Sequence, residues 1–226
     1  MLLRCEYHVD SDLRFLSNLD MMHLMERALR RAHIPYALSE GFNPHLKMSL
    51  GTVLPVGLWG QKEYFDLELR IPMDPEIFKN NLNEHLPPTM GLNRVAIIDS
   101  HSPALMKVIN SAAYCFVIDA PADRLEELSQ RLLKASELIV RSRGKKKDQN
   151  KDLRAGIFKI EVNQNQEFVI MELWVSTGEP VNVRYDELIE LLEHNGIAPG
   201  SLKDVYRSGN YIYHDAAFNT PLEKVK

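Results

Sequence analysis

The sequence has few cysteines and no long apolar segment, and each shortage excludes whole classes of protein. Only Cys5 and Cys115 are present, far apart in a chain of 226 residues. This excludes a disulfide scaffold, a cysteine-rich zinc module and a self-contained iron–sulfur cluster. The longest apolar run, Ala112 to Ile118, is far shorter than the roughly 20 residues of a membrane helix. Glu6 and His8 stand where a signal peptide would be apolar, so we expect a cytoplasmic protein with no membrane partner.

The sequence also lacks the short motifs that mark common catalytic and cofactor sites. It has no C-x-x-x-C-x-x-C set for an iron–sulfur cluster, no G-x-G-x-x-G or Walker-type lysine loop, no G-x-S-x-G and no H-E-x-x-H. Its eight histidines are scattered, and none has metal-ligand spacing to a cysteine or to another histidine. The sequence therefore predicts neither a cofactor nor a metal ion in this chain.

The net charge limits the possible ligands without excluding nucleic acid. The chain carries 27 lysines and arginines against 31 aspartates and glutamates, a formal net charge of -4. This balance argues against a protein that is basic over its whole surface, whereas a local basic face remains compatible with it.

Two successive series of strands and helices, similar in order, predict the fold. Apolar alternation predicts a strand over Leu2–Val9, and helical spacing predicts a helix over about residues 19–33, opened by a capping box at Ser17. Asp74-Pro75 predicts the start of a second helix. Each half has the order strand, helix, strands, helix, strand, which is typical of the split β-α-β unit. The sequence thus predicts an α+β protein of two tandem ferredoxin-like domains, residues 1–103 and 104–226.

The first third of the chain contains a long ordered series of motifs. They are Phe15-Leu16-Ser17 with Leu19-Asp20, the stretches 26–32 (ERALRRA) and 39–49 (SEGFNPHLKMS), Leu54-Pro55-Val56-Gly57 and Glu63-Tyr64-Phe65-Asp66. Together these motifs resemble the radical SAM-linked domain family, a bacterial domain of unknown function. The chain has Asn18 and Leu46 where that family commonly has histidine and proline.

The resemblance implies a partner rather than an activity. Domains of this family are often fused to, or encoded beside, a cobalamin-type radical SAM protein, near ribonuclease G and ribosomal-protein genes. The partner would carry the iron–sulfur cluster and S-adenosylmethionine, and it would modify RNA or a ribosomal component. The resemblance also implies that Asp152-Leu153-Arg154 is a fixed structural element.

A group of cations is predicted along one edge of the first helix. Arg27, Arg30 and Arg31 stand at positions i, i+3 and i+4, with His23 one turn earlier. Arginine forks suit phosphate or carboxylate groups. The alternative interpretation is a solvated helix face on which these arginines pair with Glu26 and nearby acids.

The loop 41–47 (GFNPHLK) is the leading candidate for a binding site. Its glycine and proline favour a fixed backbone that would hold three polar side chains in set positions. Asn43 suits a base edge, His45 suits a proton transfer, and Lys47 suits a phosphate. Phe42 could stack on a base or anchor the loop in the core. The alternative is a rigid turn with an exposed histidine.

The segment 141–154 is the second candidate surface. It has an excess of five positive charges, so it would bind a polyanion in a salt-sensitive way. The alternative is a solvated hairpin loop. The candidate RNA contacts in this segment are Arg143, Lys145, Lys146, Lys147 and Arg154.

Three functions remain open at this point. The leading hypothesis is a non-catalytic module that binds RNA or presents a substrate to the radical SAM partner. The second is a metal-independent endoribonuclease similar to those that cleave CRISPR repeats, with His45 as acid or base and Lys47 or Arg27 stabilising the phosphate. The third is a protein–protein adaptor that docks through the strand 206–213, whose tyrosines would otherwise stack bases or pack within the sheet.

Overall fold

The chain folds into a mixed α+β structure, and the computed structural model describes residues 1–144, 149–164 and 168–223. Two compact units are present, each with its own strands and helices. The first contains residues 1–109 together with the chain from Gly209 onward, and the second contains Asn110–Ser208.

The first unit consists of helices packed on antiparallel strands. Its elements are β1 (Leu2–Val9), α1 (Asn18–Arg31), β2 (Met48–Leu50), β3 (Trp59–Glu68), α2 (Pro75–Asn83), β4 (Met90–Ile98) and α3 (Leu105–Val108). Strand β1 lies between β4 and β3 and is antiparallel to both, and β2 pairs antiparallel with β3.

The second unit has a similar succession of elements. They are β5 (Ser111–Ile118), α4 (Ala122–Lys134), β6 (Ile139–Arg141), β7 (Asn150–Asp152), β8 (Ile157–Gln164), β9 (Val169–Ser176), α5 (Tyr185–His194) and the first part of β10 (Leu202–His214). These strands follow the order β10-β5-β9-β8, while β6 and β7 form a separate two-stranded sheet. The last part of β10 belongs to the first unit, where it pairs with β11 (Ala217–Asn219).

Helix α1 forms where the sequence predicts it, because its capping residues and its apolar face indicate the same stretch of chain. The capping box is confirmed: the Ser17 side chain accepts a hydrogen bond from the Asp20 backbone, and the Asp20 carboxylate accepts one from Ser17 N. Met21, Met25 and Leu29 are buried in a core that also contains apolar residues of β1, β3 and α2. The helix therefore presents its polar edge to solvent.

Loss of the Ser17 hydroxyl should raise the pKa of the Asp20 carboxyl toward its ordinary range. Hydrogen bonds from the Ser17 side chain and backbone hold that pKa below its usual value. A lowered pKa in the folded state adds stability above the unfolded pKa, and this is lost as the pH falls through the folded value. We therefore expect Ser17→Ala to shrink this acid-side loss of stability, and carboxyl NMR titration of both proteins measures the pKa. An unchanged Asp20 pKa would contradict the assignment.

The division of the chain differs from the expected boundary at residues 103 and 104. Helix α3 stays with the first unit, since Leu105 and Ile109 pack against Tyr64, and Leu222 joins this cluster. The chain after Gly209 returns to the first unit, where Pro221 O accepts a hydrogen bond from Arg4. Within the described ranges, no helix is long and apolar enough to span a membrane.

Candidate functional site

A groove of about 600 Å³ lies beside the C-terminal end of α1 in the first unit. Its backbone wall is the segment 34–38, which leaves α1 and meets the end of β3. Tyr36 forms a bridge with Leu69, and Arg70 N donates to Pro35 O at 2.8 Å. We call this the basic groove, and its lining residues are Arg30, His33, Ile34, Pro35, Tyr36, Leu38 and Arg70.

The cations of the basic groove leave it with a net positive charge. Arg30 Nε donates to the Tyr36 hydroxyl at 3.2 Å, and Arg30 Nη2 lies 2.6 Å from Glu26 Oε1. Contact with Tyr36, and then with Glu26, raises the pKa of Arg30, so the guanidinium stays charged. Arg70 and His33 are exposed, and no described residue pairs with their side chains. The lining residues therefore include two guanidinium groups and an imidazole, and Glu26, which is not a lining residue, pairs with Arg30.

A closed loop, residues 39–45, begins at the edge of the basic groove. Ser39 N donates to His45 O at 2.8 Å, and His45 N donates to Ser39 Oγ at 2.9 Å, so the two ends of the loop are held together. Gly41 has a φ of 122°, a conformation that side chains disfavour. Phe42 is fully exposed, which excludes the interpretation that it anchors the loop in the core.

The polar side chains of this loop, and Lys47 just after it, lie at the surface. Lys47 Nζ lies 3.1 Å from Glu68 Oε2, and both side chains are about half exposed. Asn43 and His45 are exposed, and within the described part of the chain no group hydrogen-bonds the His45 ring. A catalytic histidine is normally oriented by a second group. In this structure the His45 ring is thus exposed without a second described group that orients it.

The four cations predicted along α1 do not act as one group in the structure. Arg30 alone lines the basic groove. Arg31 Nη2 donates to His85 O at 2.6 Å, beyond the end of α2. His23 and Arg27 lie near Asp20, whose pKa they lower after the larger effect of the Ser17 hydrogen bonds.

Three described cations of the segment 141–154, namely Arg143, Lys151 and Arg154, are bound within their own unit. Arg143 Nη2 lies 3.1 Å from Glu190 Oε2. Arg154 donates to Leu133 O and to Ile157 O at 2.9 and 2.8 Å, and its backbone N–H donates to Asp152 Oδ1. Arg154 therefore stabilises the structure locally. Lys145, Lys146 and Lys147 lie outside the described residues.

The tyrosines predicted near the last strand pack against neighbouring rings. Tyr211 is buried, and its ring centroid lies 6.2 Å from that of Phe218, while Tyr213 lies 4.6 Å from the same ring. Tyr206, in the second unit, is also buried. The strand 206–213 therefore exposes little aromatic surface on which an adaptor could dock a partner.

Sequence reasoning missed three groove residues, His33, Tyr36 and Arg70. The first two follow α1 directly, and His33 has a φ of 52°, which is unusual for a residue other than glycine. Arg70 follows β3, and its place beside them depends on a pairing across more than thirty residues. The only signal in the local sequence was a basic residue beside each of the two paired segments: His33 before the segment 34–38, and Arg70 after β3.

Other cavities and clusters in the described ranges offer less. A cavity of about 20 Å³ near the start of α1, lined by residues such as Tyr7, Leu13 and Met21, has room for little more than a water molecule. Among residues 1–144, 149–164 and 168–223, no three His, Cys, Asp or Glu side chains are close enough to hold a metal ion.

Comparison with known proteins gives a fold likeness and a family. No curated protein matches the chain. A chain in the crystal structure of a Cbf5-Nop10-Gar1 complex is similar with a TM-score of 0.52 and 12% identity, over 99% of this chain and 53% of that one. A chain of an archaeal box H/ACA sRNP Nop10-Cbf5 complex has a TM-score of 0.44 and 14% identity, over 92% and 48%.

This chain spans about half the length of those two solved chains, and at such identities the likeness concerns the fold alone. A family model described as "Uncharacterized protein conserved in bacteria (DUF2344)" matches residues 3–185, which is most of the sequence. The chain therefore belongs to this family of uncharacterized bacterial proteins.

Proposed function

We propose that the chain is an accessory protein that binds RNA through the basic groove and the loop 39–45. The observation that carries the proposal is the position of Arg30, His33 and Arg70 around one groove, at the start of a loop that exposes Phe42. Guanidinium groups bind phosphate with two parallel hydrogen bonds, and an exposed aromatic ring can stack on a base. The two features together match the two chemical faces of a nucleotide.

The RNA would be presented to a radical SAM protein, which would carry the iron–sulfur cluster and S-adenosylmethionine. This part of the proposal rests on the motifs of the first third of the chain, which resemble the radical SAM-linked domain family. The absence of a cysteine set for such a cluster in this sequence agrees with a division of labour between two proteins.

We also propose that each unit is a ferredoxin-like module. In the first unit the succession β1-α1-β2-β3-α2-β4 is the split β-α-β order. The second unit has the same order, β5-α4-β8-β9-α5-β10, with the small β6–β7 sheet inserted after α4. Antiparallel pairing of β1 with β3 and β4, and of β9 with β5 and β8, supports this classification.

The double substitution Arg30→Ala with Arg70→Ala should weaken RNA binding by at least about tenfold at low salt. Each phosphate contact to single-stranded RNA contributes about 0.7 to the slope of log affinity against log salt, so the slope should fall by about 1.4. Fluorescence anisotropy with labelled tRNA and rRNA fragments, at about 50 and 200 mM KCl, measures both quantities.

The matched control is Lys107→Ala with Lys134→Ala, which removes the same charge from exposed positions outside the groove. Equal weakening by the two double variants would refute a defined site, because general charge would then explain the binding. An affinity for RNA that hardly changes with salt would contradict a phosphate-binding site and favour the adaptor hypothesis. RNA cleavage that disappears in His45→Ala would favour the endoribonuclease.

A further inference from the structure

We infer that the nucleic acid bound here is single-stranded, with an unpaired base on Phe42 and neighbouring phosphates in the basic groove. The inference rests on the proposed RNA-binding function and specifies the form of RNA that the site accepts.

The first argument is the exposure of Phe42. Its ring is fully exposed at the tip of a loop whose ends are closed by two hydrogen bonds between Ser39 and His45. The ring is therefore presented on a defined support and not on a loose segment. Bases inside a duplex are already paired and stacked, so a ring at the surface can stack only on a base that is unpaired.

The second argument is the chemistry of the groove walls. The groove is lined by Pro35, Tyr36 and Leu38 as well as by the cations Arg30 and Arg70. A surface that binds only duplex phosphates needs cations alone, since the duplex buries the faces of its bases. Apolar and aromatic walls in the same groove as the cations suit a strand that exposes bases and sugars together with its phosphates.

The third argument is distance. Leu38 lines the groove, and Phe42 follows it by four residues, so their Cα atoms lie at most about 15 Å apart. The Phe42 backbone and the edge of the basic groove are therefore within reach of one short, flexible strand.

The test compares a labelled single-stranded oligouridine of about 12 nucleotides with an RNA duplex of equal length, using the full chain. We expect the wild-type protein to prefer the single strand by at least about tenfold. Phe42→Ala should weaken single-strand binding about 5- to 150-fold and leave duplex binding unchanged, since stacking of one base on an aromatic ring has that value. The control is Phe15→Ala, because Phe15 is also largely exposed in the first unit.

The outcomes separate this inference from the proposed function. Equal affinity for both forms, lowered in each case by Arg30→Ala with Arg70→Ala, would retain RNA binding and overturn the single-strand inference. Equal losses in Phe42→Ala and Phe15→Ala would also overturn it, because any exposed ring would then suffice. Binding of neither probe at low salt would overturn both proposals.

Discussion

Replacing Asp66 by alanine should lower the free energy of unfolding by about 3–5 kcal/mol, the usual effect of removing one member of a buried ion pair. Arg4 Nε and Nη2 donate to the two carboxylate oxygens of Asp66 at 2.8 and 2.9 Å. The side chains of Arg4 and Asp66 are only 1% and 9% exposed. Without Asp66, the Arg4 guanidinium remains in the interior with no carboxylate beside it.

The carbonyl groups around Arg4 cannot replace the lost charge. Arg4 also donates to Pro103 O at 3.0 Å and to Pro221 O at 3.4 Å. These neutral acceptors satisfy two N–H groups but compensate little of the cost of burying a cation. The same hydrogen bonds connect β1 to the chain around Pro103 and around Pro221. Their loss should therefore also loosen the chain around Pro221.

Urea denaturation of the full chain, followed by circular dichroism, measures this effect. The matched control is Glu76→Ala, which removes an ion pair between an exposed carboxylate and the half-buried Lys79 on α2 and should change stability by less than about 1 kcal/mol. The double variant Arg4→Met with Asp66→Leu should recover most of the loss, because it leaves no unpaired charge. A loss below about 1 kcal/mol in Asp66→Ala would contradict the description of this pair as buried.

Local patterns predicted the elements of the fold well, because their determinants are close together in sequence. The start of α1 follows from Ser17 and Asp20, three residues apart, and the start of α2 follows from Asp74, whose carboxylate accepts hydrogen bonds from two backbone N–H groups of the first turn. Helix α4 likewise follows from apolar residues at helical spacing, because Leu125, Leu128 and Leu132 are buried on one face of it.

The basic groove depends on contacts that no local pattern contains. The segment 34–38 is held by β3 through Ala37 N and Glu68 O, and by the chain after the loop through Lys47 N and Ala37 O. These partners are about ten and thirty residues away, and nothing in the sequence specifies the register between them. The sequence therefore identified Arg30 and the loop 41–47 as candidates but could not combine them with His33 and Arg70.

Which charged residues are buried could not be predicted from the sequence either. Arg4 is separated from Asp66, Pro103 and Pro221 by 62, 99 and 217 residues, and only their meeting makes it a buried residue. The charges of the segment 141–154 were counted correctly, but their acidic partners lie on α5, more than thirty residues later. Among the described residues of this segment, net charge thus overestimated the number of cations available to a ligand.

Replacing Glu187 by alanine should destabilise the second unit by about 3 kcal/mol or more, because this carboxylate is fully buried and has three donors. Lys151 Nζ lies 2.6 Å from Glu187 Oε2, and the backbone N–H groups of Arg143 and Arg184 donate to the carboxylate at 2.9 and 3.1 Å. The substitution would leave a mostly buried ammonium without its anion and two amide groups without an acceptor.

The position of Glu187 should confine the destabilisation largely to the segment 141–154. Glu187 lies in the first turn of α5, and it holds residues on both sides of the undescribed stretch 145–148, namely Arg143 and Lys151. Its loss should therefore expose the chain at these two residues to trypsin sooner than elsewhere in the unit. Limited proteolysis followed by mass spectrometry would locate the first cuts, and urea denaturation would give the change in stability.

Two variants distinguish a buried network from a simple effect on the helix. Glu193→Ala removes an exposed carboxylate from the same helix and should change stability by less than about 0.5 kcal/mol. Glu187→Gln keeps the shape and one acceptor oxygen but removes the charge, so it should fall between the wild type and Glu187→Ala. If Glu187→Gln matched the wild type, hydrogen bonding alone would hold the segment, and the ion pair with Lys151 would contribute nothing. If Glu187→Ala left both the stability and the tryptic pattern unchanged, α5 would not be what fixes the basic segment.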